Sequence, residues 1–458
     1  MGKIDHPLSA ELTEPVTIGD EAYLSKAYAE AEREKLWRKV WQVACRVEEV
    51  AEVGDYVVYD ILGDTILVTR NADGELSAFY NVCSHRGKKL AKGCGRAMQF
   101  RCSYHAWRYN LKGENIFVLD KEDWRGTLPQ ERLDLSPVKV DTWGGWVWIN
   151  MDPDSVSLQE YLDPAAAMLD PFELDKMRYR WRKWCYVPAN WKVALEAFLE
   201  GYHVEGTHPQ LLKFQTFAAW SKAQGIHSNS GYGAARGVAS AKEMDKAFGN
   251  TLMRPGIGAD PRMSIWELQD EVWRTTDGTS TQVFVDAARR LVDELPEGTP
   301  AGEVVAHWMA SAKRDDAARG VIWPEVDPAH VAACGSSWHL FPNVNVIQGL
   351  NNAMYYRARP HGTDPNQCIF EVITLERYPE GQEPKTEWEF VDLFAQRDEW
   401  PPVLLQDFDN MVDVQLGLQS AGFRGAVPSP SQERKIAAFH RTLASYMGEG
   451  KPQPIGPA

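Results

Sequence analysis

From Asp20 to Trp41, apolar side chains return every three or four positions, at Leu24, Ala27, Tyr28, Ala31, Leu36 and Val40. That spacing predicts an amphipathic helix over residues 20–41 with Asp20 as its N-cap. The period then shortens. Residues 56–61 and 65–70 are β-rich runs separated by Leu62-Gly63-Asp64, a hairpin signal. The turn at Asn71–Gly74 leads into a third run over 76–82, and strand-like pieces recur as far as 145–150. A small all-β domain is expected over residues 40–155, preceded by an N-terminal helical segment, 1–39, that packs on the second domain, residues 156–458.

The pattern changes again from residue 156. Short helices around 158–168 precede a strand at 179–187 and a helix at 190–209. Residues 240–330 are charged and mostly helical, with 281–295 and 302–319 the clearest helices, and they read as an insertion. Four β-rich runs follow, at 336–341, 344–349, 354–359 and 368–377, and predict an antiparallel sheet. Helices at 401–419 and 432–447 close the chain, the second with Ile436, Phe439, Leu443 and Met447 as its buried stripe. Beyond Lys451 a proline-rich tail is expected to fray. The fold class is α+β, with residues 156–458 as the second domain.

Composition narrows the function classes. With 458 residues, 44% hydrophobic and 25% charged, this is the profile of a globular protein. A net charge of −15 argues against nucleic acid and anionic membrane as partners. No apolar run is long enough to span a bilayer, and the first seven residues contain no signal-peptide core, so a cytoplasmic location is expected. Seven scattered cysteines do not form a disulfide framework. The 18 tryptophans supply buried aromatic area by default.

The segment 190–209 carries Glu196, Glu200, His203 and His208 beside an apolar face of Leu195, Phe198, Leu199 and Tyr202. Glu200 and His203 share a helix face. His208 lies about 140° further round an ideal helix, so both imidazoles meet one metal only if the helix unwinds between them. Gly206 permits that, and Pro209 marks a boundary. On this segment alone, surface or capped core residues are the commoner reading.

The chemistry upstream is more specific. Cys83-Ser-His85 and Cys102-Ser-Tyr-His105 each follow a predicted strand, and each offers one thiolate and one imidazole. Structural zinc sites of the Cys₂His₂ type usually pair cysteine with cysteine and histidine with histidine. One of each per loop suits a two-iron cluster in which both cysteines hold one iron and both histidines the other. Cys94 reads as a buried or lining thiol, and Tyr104 and Trp107 as shields against water.

Cys83-Ser-His85-Arg-Gly followed by Cys102-Ser-Tyr-His105-Ala-Trp resembles the [2Fe–2S] motif of Rieske non-haem iron oxygenases, in the large (alpha) subunit of the ring-hydroxylating type. The resemblance covers the chain except residues 240–330. Ala106 stands where the family usually has glycine. The resemblance implies a Rieske domain, then a helix-grip (START-like) catalytic domain holding a mononuclear non-haem Fe(II). It places the iron's histidines at His203 and His208 and its carboxylate at Asp407, with Asp409 and Asp413 as competitors. Glu200 takes the bridging position, where many members have aspartate, and would link His203 to a cluster histidine such as His105. Ala197 replaces a common asparagine.

The resemblance further implies a head-to-tail homotrimer, with or without a beta subunit, in which the cluster of one copy serves the iron of the next. Electrons would come from a separate NAD(P)H-dependent reductase, directly or through a ferredoxin, since the chain has no dinucleotide fingerprint. The expected reaction uses O₂ to hydroxylate a hydrophobic small molecule, with cis-dihydroxylation of an aromatic ring as the leading form. Monooxygenation or oxidative demethylation at the same iron is the alternative. An electron carrier without catalytic iron, or a zinc-stabilised binding protein, is the reading from a different class.

Overall fold

The computed structural model describes residues 15–211, 218–233 and 260–455. It divides into two compact units, one over Ala29–Ala166 and one joining the segment up to Tyr28 to everything from Ala167 onward.

The Ala29–Ala166 unit is built from short antiparallel strands. Among the described residues, one sheet runs Leu76–Tyr80, Asp64–Arg70, Asp55–Ile61, Cys94–Arg96 in spatial order. The hairpin between Asp55–Ile61 and Asp64–Arg70 turns on Leu62 and Gly63, at φ 44° and 84°. Two successive positive φ angles give the turn whose twist matches that of paired strands. A second sheet joins Lys139–Trp143, Trp146–Asn150 and Gln42–Arg46, and its central strand buries every residue. A third, small sheet of Phe100–Arg101, Arg108–Tyr109 and Asn115–Phe117 carries the second cysteine–histidine loop. Cys83 and Cys102 sit inside the apolar cluster of this unit, with Phe79, Phe100, Trp107 and Tyr109.

The other unit is organised on a sheet that, among the described residues, has eight strands. Their order is Ala218–Gln224, His227–Gly233, Ser337–Leu340, Val344–Gln348, Asn352–Pro360, Cys368–Glu376, Arg178–Val187 and Glu389–Phe390. All neighbours are antiparallel except the last pair. The helix Trp191–Glu196 packs on the middle strands, Pro402–Leu418 packs on that helix, and Arg434–Met447 covers the first two strands. The last helix buries Ile436, Phe439, Leu443 and Met447, as its periodicity predicts. The region read as a helical insertion contributes Pro261–Thr276, Gln282–Arg289, Leu291–Glu294 and Ala301–Ala318. The expectation for residues 240–259 lies outside the described residues.

Three expectations change. The N-terminal helix is broken into Glu21–Leu24, Lys26–Glu32 and a wider turn at Arg33–Trp37, because Ser25 is extended at ψ 120°. The hairpin Ala218–Gln224/His227–Gly233 has no apolar alternation in its sequence. Its interior positions Ser228, Asn229 and Ser230 are buried polar groups, which hide the period of two. The tail expected to fray instead pairs Gln453–Pro454 with Val16–Thr17.

Candidate functional site

Each cysteine–histidine loop closes on its own cysteine. The Cys83 N–H donates to the Lys88 carbonyl at 2.9 Å, and the Gly87 N–H to the Cys83 carbonyl at 2.9 Å. In the second loop the Cys102 N–H donates to the Trp107 carbonyl at 2.8 Å, and the Ala106 N–H to the Cys102 carbonyl at 3.0 Å. The loops bring the His85 and His105 rings to 4.6 Å between centroids, and the two thiols together. The thiols are buried while the imidazoles are half-buried. Burial pushes the Cys83 thiol up, so a thiolate there needs a cation beside it. Burial, then the neighbouring His105 and Arg86, pulls His85 down toward the neutral form that binds metal. His105 Nδ1 is buried with no hydrogen-bond partner, an orphan that metal ligation would satisfy. Two soft thiolates inside and two neutral imidazoles outside fit a [2Fe–2S] cluster of mixed ligation.

The surroundings refine the expectation. Trp107 is buried and stacks on His85 at 4.9 Å, whereas Tyr104 covers His105 from outside and is 53% exposed. The Tyr109 hydroxyl lies 3.2 Å from Cys83 Sγ and accepts the Ser84 N–H at 3.1 Å, a contact the sequence did not single out. Cys94 is exposed, which corrects its reading as a buried thiol: the short strand Cys94–Arg96 edges its sheet. Ala106 has φ 59°. A left-handed non-glycine residue costs roughly 1–2 kcal/mol, part of which glycine loses again to chain entropy. Ala106→Gly is therefore expected to stabilise the protein by about 0.5–1 kcal/mol, read as a higher thermal midpoint with an unaltered cluster spectrum.

The second site begins with a correction to the helix at 190–209. It is two helices, Trp191–Glu196 and Val204–Thr207, and the break falls before Gly206 rather than at it. The backbone tightens at Phe198 and Leu199, whose N–H groups donate to the Leu195 and Glu196 carbonyls, both at 3.0 Å. Glu200 then takes over the ladder's role. Its Oε2 accepts the backbone N–H of His203 at 2.9 Å and that of Tyr202. A side chain that bonds nearby N–H groups competes with the helix and ends it. Gly201 lies where a Cβ would stand 2.9 Å from the Tyr232 ring, so a larger residue there would require that ring to shift.

The break turns His203 and His208 toward the helix Pro402–Leu418. His208 Nε2 stands 3.0 Å from Asp407 Oδ1, and His203 Nε2 3.6 Å from the same oxygen. Among the described residues, these three are the group of donors lying within 4.8 Å of one another. Asp407 is buried, while Asp409 is exposed and paired with Arg397 at 2.9 Å, and Asp413 is exposed. Both imidazoles are held by Nδ1 and present Nε2. His203 Nδ1–H donates to Glu200 Oε1 at 2.6 Å, and His208 Nδ1–H to Gln406 Oε1 at 2.7 Å. Such outer partners fix the tautomer and ring orientation of metal-binding histidines. Burial on its own would lower the His203 pKa, but Glu200, with Asp407 behind it, holds it above the ordinary value. Gln406 and the Asn410–Thr207 bond at 2.8 Å, which ties the two segments together, were not read from the sequence. Two nitrogens and a carboxylate oxygen suit a non-haem iron with open positions.

The model of the ring hydroxylating alpha subunit catalytic domain matches residues 172–449, and that of the Rieske [2Fe-2S] domain matches residues 40–120. The chain belongs to the Rieske ring-hydroxylating alpha-subunit family. That membership sets aside the zinc reading of the cysteine–histidine loops. Among curated relatives, the carnitine monooxygenase oxygenase subunit of Escherichia coli (strain K12) is 34% identical over 196 residues, 42% of this chain and 52% of that protein. The glycine betaine monooxygenase oxygenase subunit of Pseudomonas aeruginosa (strain UCBPP-PA14) is 28% identical over 199 residues, 43% of this chain and 46% of that one. The chain thus spans about half the length of the curated relatives it matches. Among solved structures, a quaternary ammonium Rieske monooxygenase in complex with L-carnitine superposes with a TM-score of 0.64 at 21% identity, over 98% of this chain and 100% of that one. Naphthalene 1,2-dioxygenase from Rhodococcus sp. gives 0.60 at 17% identity, over 94% of each chain. These likenesses show the fold.

In this alpha subunit the triad lies at the wall of a cavity of about 260 Å³. Phe198, Tyr232, Ile347, Tyr356 and Val403 form its apolar and aromatic lining. Phe198 is fixed by stacking on Tyr356 at 3.8 Å and on Phe370 at 5.3 Å. The hydroxyl-bearing residues Thr276, Thr279, Ser230, Ser336 and Ser337 also line the cavity, a polar wall that neither the composition nor the periodicity of the chain singled out. Among the described residues, no helix is long and apolar enough to cross a membrane.

Proposed function

We propose that this alpha subunit is the terminal oxygenase of a Rieske system and acts as a monooxygenase on a small organic substrate held in the Phe198/Tyr356 cavity. The observation that carries the proposal is the meeting of His203 Nε2, His208 Nε2 and Asp407 Oδ1 beside that cavity. Those three side chains would hold the iron, and Cys83, His85, Cys102 and His105 the cluster. When bound, the cluster supplies single electrons and the iron supplies a place for O₂ to bind and be activated. The chain's own residues do the remaining work. Gln406 and Glu200 orient the imidazoles, and Phe198, Tyr356 and Val403 keep water from the substrate's reacting carbon.

Monooxygenation is favoured over the cis-dihydroxylation expected from the family resemblance. The relatives above are named for monooxygenation of carnitine and glycine betaine, and a choline monooxygenase of Beta vulgaris is 32% identical over 208 residues. Aromatic faces such as those of Phe198, Tyr232 and Tyr356 suit the methylated cationic groups of such substrates. In this reading an NAD(P)H-dependent reductase, with or without a ferredoxin, reduces the cluster. Copies of the chain assemble head to tail, as a homotrimer with or without a beta subunit, and Glu200 links His203 to the cluster of the neighbouring copy. Turnover with a reconstituted reductase and isotopically labelled O₂ tests the reaction. One labelled oxygen atom in the product is expected; two would establish dihydroxylation instead.

A further inference from the structure

Behind the polar wall of the cavity lies a buried cation. Lys435, in the first turn of Arg434–Met447, is fully buried. Its ammonium donates to Ser230 Oγ at 3.2 Å, Ser337 Oγ at 3.2 Å and Asn345 Oδ1 at 3.3 Å. An ammonium has three N–H donors and no acceptor, so these three oxygens match the charged form of the side chain. Among the described residues, none of its hydrogen-bond partners is a carboxylate. Burial pulls the Lys435 pKa down to about 7, against the attraction of Glu200, which is already engaged with His203. His339 is pulled down to about 3 by burial and then by Lys435 itself, so it stays neutral and adds no second positive charge beside the ammonium. A buried charge without an ionic partner is costly unless something completes it.

Two of the three oxygens belong to residues of the cavity wall. Ser230 and Ser337 both line the cavity. Ser337 spends its proton on Asn345 Oδ1, at 3.0 Å. Ser230 accepts from Lys435, and among the described residues its own O–H has no acceptor. A hydroxyl that accepts from a cation is a stronger donor on its other side. The cavity is therefore two-sided, with an aromatic wall at Phe198 and Tyr356 and a positively backed donor at Ser230.

We propose that the substrate carries an anionic group of the carboxylate class, which docks on the Ser230 hydroxyl and is balanced by Lys435 behind it. This rests on the reading of the cavity as the substrate site and deepens it: a substrate with only a neutral or cationic head would leave the buried charge uncompensated.

Equilibrium binding to the iron-loaded, full-length protein tests the proposal without turnover. The probes are matched pairs of acid and neutral amide: acetate and acetamide, glycine betaine and its amide, benzoate and benzamide. At least one acid is expected to bind at least about tenfold more tightly than its amide, the scale of a charge-assisted hydrogen bond. Lys435→Met should reduce that preference to near unity. Should Lys435→Met not fold, Ser230→Ala, which keeps the ammonium, should reduce it as well. Equal binding of every acid and amide, no acid binding at all, or a preference that persists in the folded variants would each overturn the proposal. Persistence would assign the anion to the iron. Iron content and O₂ uptake on the same preparations report separately on the oxygenase reading, which can fail while the acid preference stands.

Discussion

Asp407→Ala is expected to remove the mononuclear iron and abolish substrate-coupled O₂ consumption while leaving the cluster intact. The side chain is buried and sits between the two Nε2 atoms, at 3.0 Å and 3.6 Å. Alanine leaves two neutral nitrogens and no charge to balance a divalent ion. Losing an outer-sphere partner typically costs 10–100-fold in affinity or activity, on the order of 1.4–2.8 kcal/mol, and losing a ligand itself should exceed that. Iron should fall from about three to about two per chain, with the cluster's visible and EPR signals unchanged. Asp409→Ala is the control, because Asp409 is exposed and its partner is Arg397. Coupled turnover surviving in Asp407→Ala would overturn the assignment of Asp407 as an iron ligand.

Glu200→Gln should have the second largest effect, and on a different step. Glu200 Oε1 accepts from His203 Nδ1 while Oε2 accepts the backbone N–H groups of Tyr202 and His203. An amide has one carbonyl oxygen, so it cannot satisfy both sides at once, and its NH₂ must face a donor. The three iron donors remain, so both metals should stay bound. Oxidation of the reduced cluster in a single turnover should slow by roughly 10–100-fold, the scale of a lost outer partner to a ligating histidine. Because Oε1 accepts a single hydrogen bond among the described residues, it retains a lone pair for a donor from another copy. Normal coupled turnover in Glu200→Gln would falsify the bridge.

The two metal sites differ in how far the sequence exposes them. The cluster loops are legible because their four proposed ligands come as two short local pairs, each following a strand, and local spacing survives folding. The iron site is not local. His203 and His208 are close in sequence, but Asp407 lies about 200 positions downstream, beside two other aspartates on one helix. Only burial separates Asp407 from Asp409 and Asp413, and burial depends on what the helix packs against. The break at residues 197–203 was misplaced for a related reason. Gly206 is a familiar helix breaker, whereas Glu200 ends the helix through its carboxylate, and glutamate ordinarily favours helices. The strands at 337–340, 344–348, 352–360 and 368–376 follow their β-rich runs closely, because their faces are mostly apolar. The hairpin at 218–233 escapes the pattern because its buried positions carry polar residues, among them Ser228, Asn229 and Ser230, the last of which meets Lys435.

The Nδ1 anchoring of both histidines bears on how the enzyme acquires the right metal. With Gln406 and Glu200 holding the rings, the three donors are set before any ion arrives, so entry requires little rearrangement. Such a ready-made nitrogen–oxygen site does not discriminate by affinity: copper and zinc bind sites of this kind more tightly than ferrous iron. Correct loading is then a matter of which ions the cell makes available while the chain folds. Protein produced in zinc-rich medium should carry a complete cluster beside an inert centre, and would read as a pure electron carrier until the zinc is exchanged.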